Sequence, residues 1–395
     1  MEIDRSPKLA RTSFVVTVLS ILSLAGCTGT TSADKHGTPG PPSQLNTYVG
    51  TQSPGDVWTV TINHNTNSFS YADISAGTNM PTVAGLLVTD NGFLNLSETN
   101  TAPAFQPAGF ALEILGRAAL VRPGLNTSPL VPLVAQSSCP AISSQVNLQF
   151  VTLPNSTWAA ATDTAYGSFQ VSANSTTWNF SSYQQFALAG SSNQPGAMLS
   201  PGVCAQSLAG IVVTIPPSPT VSTTGTLALG PSGFFLVDQG SGNPGLVGVV
   251  QPSTTVSAAN VVSGQYFGFM YEPAAALTGL PVTQMAAFGC TGSSCVAPPS
   301  QSSIVGGVFS TDDPSVPANM DTTITLGSQN SANNGLFGKS SVTLPDPSSV
   351  CNTGTGTCTF PAVAVVGNPE NKFAMFLIAQ DIVNNSPLVF ILYQQ

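Results

Sequence analysis

Charge is what this sequence has least of. Only 6% of its 395 residues are charged, with 8 Lys plus Arg against 17 Asp plus Glu, and there are 2 His. Eight cations cannot build the basic stripe of a nucleic-acid binder, and a net charge of −9 works against one. Long hydrophobic runs are also missing. The longest in the body of the chain, Phe373 to Ala379, stops at Gln380 and Asp381, where a spanning helix needs roughly 20 apolar residues. The Glu/Lys/Leu-rich composition of a coiled coil is absent too. A disordered chain is excluded by the opposite measure, a 42% hydrophobic content.

The N-terminus carries the strongest local signal. Arg5, Lys8 and Arg11 precede the apolar run Ser13 to Leu24, which fits the h-region of an export signal. The run ends in Leu24-Ala25-Gly26-Cys27, which resembles the lipobox of bacterial lipoproteins. That resemblance implies a signal peptide over 1–26, cleavage before Cys27, and diacylglycerol with a further acyl chain such as palmitate on Cys27. Thr28, where an Asp would retain the protein at the inner membrane, implies the outer membrane of the cell envelope. Several acyl chains on one cysteine anchor stably, so the membrane is an expected partner through lipid alone. Residues 27–46 hold Gly, Pro, Ser and Thr without periodicity and are expected to be a flexible tether that includes His36.

Cys27 aside, six cysteines remain: Cys139, Cys204, Cys290, Cys295, Cys351 and Cys358. An even number in an exported chain predicts disulfides. The pairs Cys290/Cys295 and Cys351/Cys358 flank short Gly/Ser/Thr turns, which leaves Cys139 for Cys204. A zinc site from the last four fits less well, because the six residues between Cys351 and Cys358 exceed the usual ligand spacing.

The body alternates strands and turns. In Val57 to His64, Trp58, Val60 and Ile62 share one face and Thr59, Thr61 and Asn63 the other, the period of a half-buried strand. Hairpins are expected over Leu86–Leu96, Phe110–Val121, Leu227–Val237 and Phe373–Leu392. The last is apolar enough to be buried on both faces. The best helix candidate is Ala274 to Phe288. A turn followed by Phe and an apolar strand recurs at Phe93, Phe234 and Phe373, each after an earlier strand running from an aromatic to a Pro. The fold class is therefore all-β, with antiparallel barrel- or sandwich-like units in three tandem quasi-repeats, 47–140, 145–255 and 262–395, that could form one domain. A propeller would need a period of about 40–50 residues, which is missing. Pro216-Pro217 and Pro298-Pro299 argue against a transmembrane barrel.

Chemistry is sparse. The body has one histidine, His64, expected at the rim of a strand, and neither a G-x-S-x-G elbow nor a P-loop occurs. Asp312, Asp313 and Asp321 read as a solvated acidic loop, and Glu113 as a surface partner of Arg117 or Arg122. Trp58 and Trp178 are expected in the core, and Trp158 is the candidate for stacking on a glycan. The sequence thus predicts no catalytic residue, no metal and no cofactor. It points to a lipid-anchored envelope protein, not an enzyme, with a binding or structural role toward an envelope protein or a glycan. The alternatives are a glycan-binding lipoprotein and an envelope hydrolase with unrecognised carboxylates.

Overall fold

The computed structural model describes residues 45–395 except 51–56, 74–82, 91–92, 99–106, 124–129, 136–138, 140–141, 155–163, 175, 189–192, 195–199, 208–209, 217–223, 240–243, 274–281, 298–303, 306–307, 310–321, 346–355 and 382–385. The chain is all-β and builds three antiparallel barrels, one after another. The first takes Leu45–Gly50, Trp58–Asn63, Ser68–Asp73, Val83–Asp90, Phe93–Glu98, Pro107–Ile114, Ala118–Pro123 and Val131–Val134. The second takes Ile142–Leu153, Ala165–Ala173, Thr177–Ala187, Gly202–Ser207, Gly210–Ile215, Gly225–Leu229, Phe234–Asp238 and Gly245–Val250. The third takes Gly264–Glu272, Val282–Thr291, Ser294–Ala297, Thr322–Thr325, Leu336–Pro345, Thr357–Gly367, Ala374–Asp381 and Ser386–Gln394. In each, strands pair with their neighbours in chain order and the eighth returns to the first. This is the up-and-down arrangement, in which closure leaves no open sheet edge.

Eight strands leave an interior that side chains can fill. Each barrel has its own apolar centre. Tyr48, Val60, Ile62 and Leu96 fill the first, Phe150, Phe169, Trp178 and Phe235 the second, and Tyr266, Phe288, Phe337 and Phe390 the third. A fourth cluster lies outside all three. Phe110, Leu112 and Leu120 from the first barrel meet Phe234, Leu236 and Val247 from the second and Phe376, Ile378 and Ile391 from the third. The barrels are joined by this common apolar seam. Around it, the exteriors carry cross-strand hydroxyl pairs such as Thr47 with Thr61 and Thr343 with Thr359. An apolar interior beneath a hydroxyl-bearing exterior is the reverse of a transmembrane barrel.

Strand alternation explains the doubly apolar hairpin at the end of the chain. Ala374, Phe376 and Ile378 face the seam, while Met375, Leu377 and Ala379 face the third barrel's interior. Val389, Ile391 and Tyr393 alternate with Leu388, Phe390 and Leu392 in the same way. The corresponding hairpin of the second barrel does likewise, with Phe234 and Leu236 outward and Phe235 and Val237 inward.

Two expectations need correction. The helix proposed over Ala274 to Phe288 is, from Val282 onward, the second strand of the third barrel; 274–281 lie outside the described residues. The only α-helix among the described residues is the single turn Ala258–Val261, capped by the Ser257 side chain. The repeated Phe is also out of step. Phe234 opens the seventh strand of its barrel, but Phe93 opens a fifth strand. Phe373 stands just before its strand and packs against the interior, whereas Phe234 faces the seam. A slip of one residue exchanges the two faces of a strand.

Candidate functional site

Three ionisable side chains, Tyr48, His64 and Glu113, meet at one end of the first barrel. Glu113 belongs to the sixth strand, where Phe110 and Leu112 face the seam. Ala111 and Glu113 take the other parity, and Glu113 stands opposite Ala119, an interior residue. The carboxylate is therefore directed into the barrel end, and its side chain is only 5% exposed. This overturns the expectation of a surface ion pair across the hairpin. The bulky residues of this strand pack into the seam, which turns the acid inward.

A buried carboxylate needs donors, and the first two strands supply them. Asn46 Nδ2 donates to Glu113 Oε1 at 3.0 Å, and the Tyr48 hydroxyl donates to the same oxygen. His64, in the turn after the second strand, meets Oε2 through Nε2 at 2.5 Å. Tyr48 in turn accepts the Gly116 N–H at 2.9 Å. Gly116 sits at φ 68°, a left-handed turn position that glycine occupies without strain. Tyr48 is fully buried. Burial, the Glu113 charge and the hydrogen bond to Glu113 together push its phenol well above the ordinary range.

His64, whose Nε2 meets the carboxylate, keeps a side chain 32% exposed at the rim. The cluster ties two turns of the barrel rim together. Its members answer one another's hydrogen-bonding needs, and Glu113's partners are a phenol, an amide and an imidazole rather than a second carboxylate. Among the described residues, no Ser, Thr or Cys side chain hydrogen-bonds His64, and no group of three metal-ligating side chains assembles. Tyr48 and Asn46 were not singled out from the sequence. The available signal was an acid in step with Ala111 and out of step with three large apolar neighbours.

Arg122 follows a different course. It is 2% exposed, donates from Nη1 to the Thr283 carbonyl of the third barrel at 2.9 Å, and lies 4.6 Å over the Phe110 ring. Its Nε has no partner, and burial pushes its pKa down to about 10.

The cysteines form Cys139–Cys204 and Cys290–Cys295 bonds. Cys358 is disulfide-bonded as well; its expected partner Cys351 lies outside the described residues. Trp178 is fully buried in the second barrel, and Trp58 is half-buried beside Tyr71, their ring centroids 6.0 Å apart. Cys27, Trp158, His36, Asp312, Asp313 and Asp321 lie outside the described residues. No protein-family model matches the chain, and no curated protein matches it.

Proposed function

We propose that this chain is an exported lipoprotein of the bacterial cell envelope, anchored through Cys27, most naturally at the outer membrane, with a binding or structural role and no catalysis of its own. The observation that carries this reading is the construction of the body. Three side-chain-filled barrels are fused through one apolar seam into a rigid support, and its ionisable cluster is spent on its own hydrogen bonds. Function then falls to the outer surface and the grooves, which are rich in uncharged hydroxyls and amides. Removing 1–26 leaves five cations against fifteen acids, a balance that offers no attraction to anionic lipid or nucleic acid. Attachment would rest on the acyl chains.

The test is metabolic labelling with an alkyne fatty acid in a diderm host expressing the full-length chain, followed by membrane fractionation. The wild type is expected to carry label and sediment with outer membranes. Cys27→Ala is expected to accumulate as unlabelled precursor. Label retained in that variant would refute the anchor.

A further inference from the structure

We propose that the groove where the second barrel meets the third is a binding site for a neutral saccharide. This rests on the binding role argued above and specifies its ligand. The groove has a volume of about 270 Å³, just under the range of about 300–1,000 Å³ typical of small-ligand clefts, which suits a few sugar atoms rather than a whole oligosaccharide. Three segments build it. Ser232 lies in the turn before the seventh strand of the second barrel, residues 251–254 follow its eighth strand, and Asn368 follows the sixth strand of the third barrel.

The walls are held from behind. Gln251 N–H donates to the Asn147 carbonyl at 2.8 Å, Asn334 Nδ2 to the Pro252 carbonyl at 3.2 Å, and Val256 N–H to Gln329 Oε1 at 3.0 Å. The polar side chains facing the groove are not used in that scaffolding. Those of Gln251, Ser253 and Thr254 make no hydrogen bond to other described residues. Asn368 precedes the 3-10 turn Pro369–Asn371 without capping it through its side chain. Ser232 Oγ lies behind this wall, buried and with no partner among the described residues.

These groups select the ligand by chemistry. Hydroxyls and amides both donate and accept, which suits the alternating hydroxyls of a sugar ring. Pro252 and Pro369 add apolar faces for its C–H surface. No charged side chain is among the described lining residues, so a phosphate or carboxylate would enter without a counter-charge, against a net charge of −9. A purely apolar ligand would strand the uncommitted polar side chains.

The experiment titrates full-length acylated protein, in a detergent without a sugar headgroup, with maltotriose, cellotriose and chitotriose, and with trigalacturonate as the anionic counterpart. At least one neutral trisaccharide is expected to bind and trigalacturonate to bind more weakly. Thr254→Ala with Asn368→Ala, removing two hydrogen-bonding partners, is expected to weaken binding about tenfold. Ser253→Trp is expected to block the groove, and all variants should keep the wild-type melting temperature. Absence of binding by all three neutral sugars, preference for trigalacturonate, or binding unaffected by either variant would overturn the proposal. The last result would move the ligand elsewhere on the surface and leave the envelope-binding role standing. Loss of that role would show instead as a chain without acylation at Cys27.

Discussion

The disulfide between Cys139 and Cys204 gives the sharpest stability prediction. Cys204 lies in the fourth strand of the second barrel, within its core, and Cys139 stands just ahead of the first strand. The bond spans 65 positions, against 5 for Cys290–Cys295. On the chain-entropy model, closing these loops contributes about 4 and about 2 kcal/mol respectively. Alanine at both positions of a pair removes each bond without burying a hydroxyl that lacks a partner. What the loss does to melting depends on how much of the chain unfolds together. Residues Ser43–Gln395 form one compact unit, whose unfolding entropy is on the order of 0.7 kcal/mol per degree. The expected drops are then about 6 °C for the Cys139/Cys204 variant and about 3 °C for the Cys290/Cys295 variant. If the second barrel melted alone, its smaller entropy would raise the first figure to about 20 °C. The shared seam favours the smaller number. Calorimetry on the oxidised proteins distinguishes these outcomes. A Cys139/Cys204 variant melting at or above the Cys290/Cys295 variant would refute the loop argument, and a separate early transition would refute the single unit.

Other perturbations test the buried polar groups. Glu113→Ala leaves Tyr48 and Asn46 without their acceptor and is expected to cost about 2–4 kcal/mol, whereas His64→Ala at the rim should cost about 1 kcal/mol or less; equal denaturation midpoints would contradict the described hydrogen bonds. Arg122→Met exchanges a buried cation having one carbonyl acceptor for an apolar chain that still meets Phe110, so the melting temperature is expected to rise; a clear fall in thermal scans would show the Thr283 bond to be worth more than the desolvation. Burial raises the phenols of Tyr48, Tyr266 and Tyr271. A raised pKa in the fold gives stability that is present below the unfolded value of about 10 and lost as pH climbs through the folded one. Melting temperature should therefore hold up to about pH 10 and fall beyond it, with phenolate absorbance of these residues appearing only on unfolding.

The strands were legible wherever a turn residue interrupted an apolar run. Val57–His64 and the hairpins Phe110–Val121 and Leu227–Val237 all read correctly because period two and turn chemistry are local. So did the doubly apolar final hairpin, since one face of a strand cannot account for Phe373 to Ala379. The faces themselves were not legible. Phe110, Leu112 and Ile114 look like an inward set until a neighbouring barrel gives them somewhere else to go. Glu113, expected in a surface ion pair with Arg117 or Arg122, lies instead in the barrel end beside Tyr48 and Asn46, which the sequence did not single out. Val282 onward carried no periodicity strong enough to outweigh the short helical pattern of Ala274 to Phe288. The groove at Asn368 had no sequence signal at all, because it joins segments more than a hundred positions apart.

The common seam has a consequence for how the nascent chain must be handled. Each barrel closes its own hydrogen bonds, yet each keeps an apolar flank that only the other two cover. The flank of the first waits for the final hairpin, from Ala374 to Tyr393, which is translated last among the residues that meet there. During that interval a finished barrel is still a sticky one, and exposed apolar surface is what drives premature association. The chain should therefore depend on a holdase until its final hairpin has been exported, and an exported chain truncated within the third barrel should leave two folded barrels that aggregate.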